Sequence, residues 1–495
     1  MLKYITAITL FLLLGSFVST AQQEPKKVIW GEKLKKTKNL GEFIYKDDYL
    51  YVLNFKLKAV QKISPDDLTL VSTLELEDKE IEIDGEQVAL FNTVQSLINY
   101  RDGLGLFIEH YNDGDESKTY GFVKLESDLS GYDKVCQTLF DTQGKSENKR
   151  ENRGLYHDSQ ILEGNGNYLA LMSYRYKTGE QTLYGDLNVI SNRGEDYSKE
   201  FTVGKKSGSS IHCVFSENAF TVQTLKDEID ELILYDGATG ADAATLSLQE
   251  FLEEKYRVSA IKKLNDGSYL LSGFYGSFTS KDGNQMHGFF VAKVAANGTL
   301  DEENSYKFPT SEITSTVENA TIQDVLITDE ESVFIIMTSS DGSKMSMNGN
   351  TTVYEQLMVV GIDKDNIWSK SIPFRQGYGA MVWDEHLGPK ITDVNGHLIL
   401  AFNDHRDNGK TFDYSNYNYS KDTRPSKYTC SLPDVITIID IDKEGEVDPY
   451  FINVYEIFTN LIDIQPLNDG TLFFSGGTAT IAGPGKTRFA KVILK

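Results

Sequence analysis

Two stretches of the chain, some two hundred residues apart, carry the same words: Leu264–Gly276 reads LNDGSYLLSGFYG and Leu467–Gly477 reads LNDGTLFFSGG. Asn/Asp-Gly between alternating apolar residues is the strongest short-range hairpin signal, because the turn needs positive φ that only such residues adopt cheaply. In the block Val258–Pro309 that hairpin is followed by a polar loop, then GFFVAKVA, the turn ANG and a weaker strand, TLDEENSYKF. Four antiparallel strands in about fifty residues is the size of one propeller blade. The first turn of this frame recurs near Asp47, Asp102, Asn165, Glu217, Asp266, Glu330, Asn395 and Asp469, a mean spacing of about 60 residues. Composition agrees: 27 Tyr and 26 Phe against 10 Pro favour pleated, half-buried surfaces.

The two chain ends decide between an open array and a closed ring. The last block stops at its third strand, TRFAKVILK, and lacks a fourth. A spare strand, KKVIWGEKLKK (Lys26–Lys36), precedes the first block, and its Trp30 matches Trp368 in an outer strand of a later block. Pairing the two removes the unpaired edges of an open array. The expected fold is therefore all-β: a single β-propeller spanning residues 22–495, of four-stranded antiparallel blades. Eight blades are expected, with seven as the alternative, and strand 26–36 completes the C-terminal blade.

DGSYLLSG followed by FVAKVAANGTL resembles the repeats of secreted bacterial propellers, which read D-G-x-Y-x-x-x-G, a polar loop, then K-x-D-x-x-G-x-x-x-W. The block Leu326–Phe374 keeps the tryptophan, Trp368, and lacks the glycine turn. The resemblance covers two or three blades well and the rest loosely, and what it implies is a fold.

Residues 1–21 read as a secretory leader: Lys3, an apolar run from about Tyr4 to Val18, and small residues Ser19 and Ala21 at the −3 and −1 positions of a cleavage site. Cleavage after Ala21 places the chain in the periplasm or the medium, and no later apolar run is long enough to span a bilayer. The formal charge of −24 becomes −25 on losing Lys3. Such a field repels nucleic acid, and no nucleic-acid partner is expected. Cys136, Cys213 and Cys430 lack metal or redox spacing and read as thiols, though an export route permits one pair to bridge.

Connections between second and third strands, and between blades, share one face and are long; the remaining turns are short. Long loops on a rigid scaffold are where binding residues sit. They cover Phe140–Gln160, Ser339–Glu355, Arg375–Lys390 and Asn403–Pro433. The last carries Tyr414, Tyr417, Tyr419 and Tyr428 among Asn, Asp and Ser, a composition suited to protein or glycan recognition. Trp383, Asp384, Glu385 and His386 share that face, and carboxylates beside a histidine are the residue types of acid–base work. These eight residues are the candidate binding set; no catalytic residue is identified.

No cofactor or metal is expected. Calcium is the alternative at Asp440–Asp448, where Asp440, Asp442 and Glu444 alternate before Gly445, but Phe451 stands where a calcium loop needs its bidentate Glu. The acidic cluster Asn112–Ser117 is weaker still. Tyr235–Leu246 is similar to one quinoprotein-type repeat but lacks its Trp, and His405–Asp407 lacks the kinase Asn, Phe412 standing there. Nucleophile elbow, Walker loop, dinucleotide fingerprint and sialidase box are missing from the sequence. The expectation is an exported binding or scaffold module recognising a protein or glycan through its long-loop face. The alternative is a polysaccharide hydrolase or lyase with carboxylates at the propeller mouth; the oligomeric state is left open.

Overall fold

The computed structural model describes residues 25–31, 40–55, 57–100, 103–112, 117–141, 158–165, 168–177, 182–191, 196–205, 210–216, 218–225, 230–237, 239–279, 283–312, 320–339, 352–364, 366–377, 387–419, 421–428, 434–453, 460–467, 470–480 and 483–494. These residues form eight four-stranded antiparallel sheets, joined in chain order as the blades of a propeller. From axis to rim, blade 1 runs from Leu40–Lys46 to Leu70–Glu75 and blade 2 from Val94–Tyr100 to Gln137–Asp141. Blade 3 runs from Asp158–Asn165 to Tyr197–Lys205, and blade 4 from Ser210–Phe215 to Asp242–Leu246. Blade 5 spans Lys255–Lys263 to Leu300–Pro309, blade 6 Ala320–Ile327 to Asn366–Ile372, and blade 7 Lys390–Val394 to Val447–Asn453. Blade 8 begins with Asn460–Pro466 and continues through Leu472–Thr480 and Gly483–Ile493.

Its rim strand comes from the other end of the chain. Lys27–Trp30 pairs antiparallel with Gly483–Ile493 in the register Lys27↔Ile493 to Trp30↔Ala490. The Gly31 amide donates to the Phe489 carbonyl and Arg488 Nε to the Gly31 carbonyl, while the Arg488 guanidinium lies 5.1 Å from the Trp30 ring centre. Residues 32–36 of the expected strand lie outside the described residues. Leu50, Val52, Ile63 and Leu68 of blade 1 share one core with Leu467, Phe473 and Phe489 of blade 8, so the ring is closed by packing as well as by pairing.

Each blade lies between two neighbours, which explains the wording of the second strands. A strand buried on both faces reads as an unbroken apolar run. In Val333–Ser339 all seven residues are buried; Val333, Ile335 and Met337 pack toward blade 5, and Phe334 and Ile336 toward blade 7. In His397–His405, Leu398, Leu400 and Phe402 face blade 6 while Ile399 and Ala401 face blade 8. The period-2 alternation is there, but between two cores rather than between core and water.

Two two-stranded sheets lie outside this frame, one of them Thr352–Tyr354 with Gln376–Gly377. Glu80–Ile83 and Glu86–Ala89 form an extra hairpin in the connection from blade 1 to blade 2, turning at Asp84 (φ 51°) and Gly85 (φ 86°). Among the described residues no helix is long and apolar enough to cross a membrane.

Candidate functional site

The two faces of the ring are built differently. Tight turns such as Leu264–Ser268, Thr328–Ser332 and Asp442–Glu446 occupy one face, each closed by main-chain hydrogen bonds. Charged pairs there link one blade to the next: Lys263 with Asp236, Lys262 with Asp329, and Lys443 with Glu330. The acidic stretch Asp440–Asp448 belongs to this face. Gly445 (φ 84°) closes its turn, the Asp442 carboxylate accepts the Glu446 amide, and Asp440 Oδ1 lies 2.7 Å from His397 Nδ1. Phe451 is buried in the strand that follows. Among the described residues no three His, Cys, Asp or Glu side chains converge to hold a metal. Cys136 and Cys213 carry thiols, and burial pushes Cys213 up to about 12; Cys430 lies outside the described residues.

Three long connections of blades 6 and 7 meet on the other face. Thr352–Tyr354 pairs with Gln376–Gly377, and Gln376 bridges in turn to Tyr428, so main-chain bonds join all three. The Tyr428 amide donates to the Arg375 carbonyl at 2.9 Å, and the Gly377 amide to the Tyr428 carbonyl at 3.1 Å. At their base sits Asp404, 1% exposed, near the end of the second strand of blade 7. Its carboxylate accepts from the Tyr414 hydroxyl (2.6 Å), Asn408 Nδ2 (2.7 Å), the His405 amide (2.8 Å) and the Thr437 hydroxyl (3.0 Å). Burial pushes this carboxyl above the usual range while the four donors pull the other way, and burial beside Asp404 lifts the Tyr414 phenol well above its ordinary value.

The neighbouring side chains complete the frame. Asn403 clamps blade 8, donating to the Leu461 carbonyl (2.9 Å) and accepting the Leu461 amide (2.7 Å). Buried Gln376 donates to the Asn403 carbonyl and accepts the Gly388 amide, both at 2.7 Å. Asn408 bonds both main-chain groups of Ser426, which closes the insertion on itself. Glu355, 8% exposed, accepts from Arg375 at 3.2 Å and from Arg424 at 3.5 Å, joining three loops through one carboxylate.

This geometry corrects the role expected of the tyrosines. Tyr414, Tyr417 and Tyr428 are 1%, 7% and 0% exposed, so they cannot offer their rings to a ligand. Polar composition suggested a displayed loop, but these rings supply the apolar surface an insertion of this length needs in order to fold. Tyr414 packs on Phe451, and Tyr417 meets Phe412 edge-on at 5.4 Å. Tyr419 is half-buried, with Arg424 over its ring. Trp383, Asp384, Glu385 and His386 lie outside the described residues. The outward groups are Lys410, Asp413, Asn416, Lys421, Asp422, Arg424 and Ser426. Of these the sequence reading picked none, since nothing local separates an outward polar residue from an inward one. Both buried carboxylates of the platform are committed: Asp404 to four donors and Glu355 to two guanidiniums.

No protein-family model matches the chain, and no curated protein matches it. Among solved structures it is similar to the WD40 domain of SCAP from fission yeast, at 9% identity and TM-score 0.38 over 94% of this chain and 98% of that one. It is similar to Sqt1 of Saccharomyces cerevisiae at 8% identity and TM-score 0.40, covering 96% of this chain and 100% of that one. A third is the Dos1 propeller, at 10% identity and TM-score 0.41 over 94% of each chain.

Proposed function

We propose that this chain is an exported binding module that holds a protein partner on the platform formed by the long connections of blades 6 and 7. Export rests on the leader pattern of Lys3, the apolar run to Val18, Ser19 and Ala21. Binding rests on one observation: an insertion rich in Asn, Asp and Ser is tied at its base by buried polar groups centred on Asp404. Buried polar networks are costly unless complete, and complete ones fix a single conformation. A loop held in one conformation loses little entropy on binding, which is how a scaffold gains affinity. A protein fits better than a glycan, because sugar recognition relies on exposed aromatic faces and three of the four tyrosines are inside.

The test is a capture experiment from the extracellular and periplasmic fractions, with captured proteins identified by mass spectrometry. The full chain is compared with the outward triple variant Lys410→Ala, Asn416→Ala, Lys421→Ala, which spares the Glu355 and Asp404 frame, and with the turn-face variant Lys443→Ala. A partner retained by wild type and Lys443→Ala but lost by the triple variant supports the reading. Equal capture by all three overturns it, and a glycan ligand lost in the triple variant replaces the protein partner.

A further inference from the structure

The extra hairpin of blades 1 and 2 has an inner and an outer side of opposite character. Ile81, Ile83 and Leu90 are 0%, 1% and 0% exposed and belong to the core shared by the two blades, with Val88 and Phe91 packed against it. The exposed positions are acidic: Glu75, Glu77, Asp78, Glu80, Asp84 and Glu86 are exposed and Glu82 half-buried, with Lys79 among them and Lys58 of blade 1 paired to Glu77 at 2.6 Å. Thr119 and Thr138 of blade 2 donate to Asp84, fixing the turn on that blade.

The hairpin is the middle and edge of a small sheet. Glu82 pairs in parallel with Val135, its amide donating to the Lys134 carbonyl and its carbonyl accepting the Cys136 amide. On the far side, the two-residue turn makes Ile83↔Glu86 and Ile81↔Val88 the hydrogen-bonded pairs. The amides of Gln87 and Ala89 therefore point away from the sheet. Both residues are exposed, and no described residue takes up those amides.

Free edges are a hazard that folded chains blunt, with bulges, prolines or charge. At the rims of blades 1 to 5 the pairing of the outermost strand shifts register, and blade 7 carries Pro449 in its rim strand. The Glu86–Ala89 edge is regular, with no shift and no proline, as are the rims of blades 6 and 8. Among the described residues, what guards it is negative charge. Edge-to-edge pairing of two copies would set these carboxylates against each other, whereas a basic strand complements them.

We infer that the Glu86–Ala89 edge is a second docking surface, whose partner is a basic, extended polypeptide segment adding as a strand beside Gln87 and Ala89. Main-chain hydrogen bonds supply attachment, as in other strand-addition complexes, and the carboxylates select Lys and Arg. This surface is independent of the platform on blades 6 and 7.

The probe is a short labelled peptide alternating Lys with Val and Thr, titrated against the full chain and followed by anisotropy. Ala89 has φ −66°, the angle proline imposes, so Ala89→Pro removes the outward amide and leaves the ladder to Glu80–Ile83 intact. Expected results are saturable binding that weakens with salt, a loss of about tenfold or more in Ala89→Pro, and a comparable loss in the double variant Glu80→Lys, Glu86→Lys. No binding by the wild type, or equal binding by Ala89→Pro, overturns the proposal; the second result means that charge alone attracts the peptide. If Ala89→Pro misfolds, the isotope-edited amide band of the bound peptide decides instead: a strand signature supports edge addition and a coil signature overturns it.

Discussion

The hairpin Glu80–Ala89 and the insertion Asn403–Tyr428 both leave the blade frame on the same face, and they are held by opposite means. The hairpin is anchored by apolar side chains of an adjoining core and turns its charge outward. The insertion is anchored at its base by buried polar groups around Asp404, with tyrosines folded over them. An alternating strand sorts its residues by face, so ten residues suffice to bury one side. An irregular loop has no such face. Its buried main-chain groups need partners, and Asp404, Asn408 and Gln376 provide them. The first device is non-directional and tolerates substitution of similar shape; the second is directional and fails when one member is lost.

That contrast can be broken in three ways. The largest effect is expected from Asp404→Ala, which strips the acceptor from two hydroxyls and a carboxamide; a cost of about 3–5 kcal/mol should appear in denaturant unfolding. The conservative Asp404→Asn should cost less and carry a pH signature. Burial raises this carboxyl, so the folded state holds its proton more tightly than the unfolded one. The site's contribution is then fullest below the unfolded carboxylate range and declines as pH rises through the folded value. Wild-type stability relative to Asp404→Asn should therefore fall with rising pH; a rising difference would mean that the four donors outweigh desolvation.

Next in size is Ile81→Ala in the hairpin, at about 2–4 kcal/mol, with no dependence on pH or salt. A salt-dependent cost would show that charge rather than packing holds the hairpin down. Smallest is the turn face. Lys263→Met breaks the part-exposed pair with Asp236 between blades 4 and 5, and should change stability by about 0.5 kcal/mol, vanishing at high salt. A larger loss would make the turn-face pairs a structural belt rather than a solvated decoration.

How far the sequence could be read follows from these same residues. Turn words with Asn/Asp-Gly located the blades, because positive φ at Gly267, Asn395, Gly396 and Gly470 is a local requirement with a local signature. The missing fourth strand of the last block located its replacement, and Trp30 pairs with Ala490 in the rim strand of its blade as Trp368 pairs with Gly361 in its own. The extra hairpin carries its own signal, since EIEIDGEQVA has both the alternation and the turn, but it stands outside the repeat and the blade frame does not point to it. The platform was not legible. Whether Tyr414 faces water or Asp404 depends on the third strand of the blade, whose Thr437 donates to the same carboxylate from 33 residues away in sequence.

What the sequence determined by itself was the local grammar: where the blade strands turn, and that the first strand completes the last blade. Those are short-range consequences of φ preferences and period-2 patterning, and they survive without knowledge of neighbours. Tertiary structure alone decided which polar residues are inside. An aspartate or tyrosine is compatible with water or with a buried partner, and only the arrangement of other chain segments fixes which environment it meets.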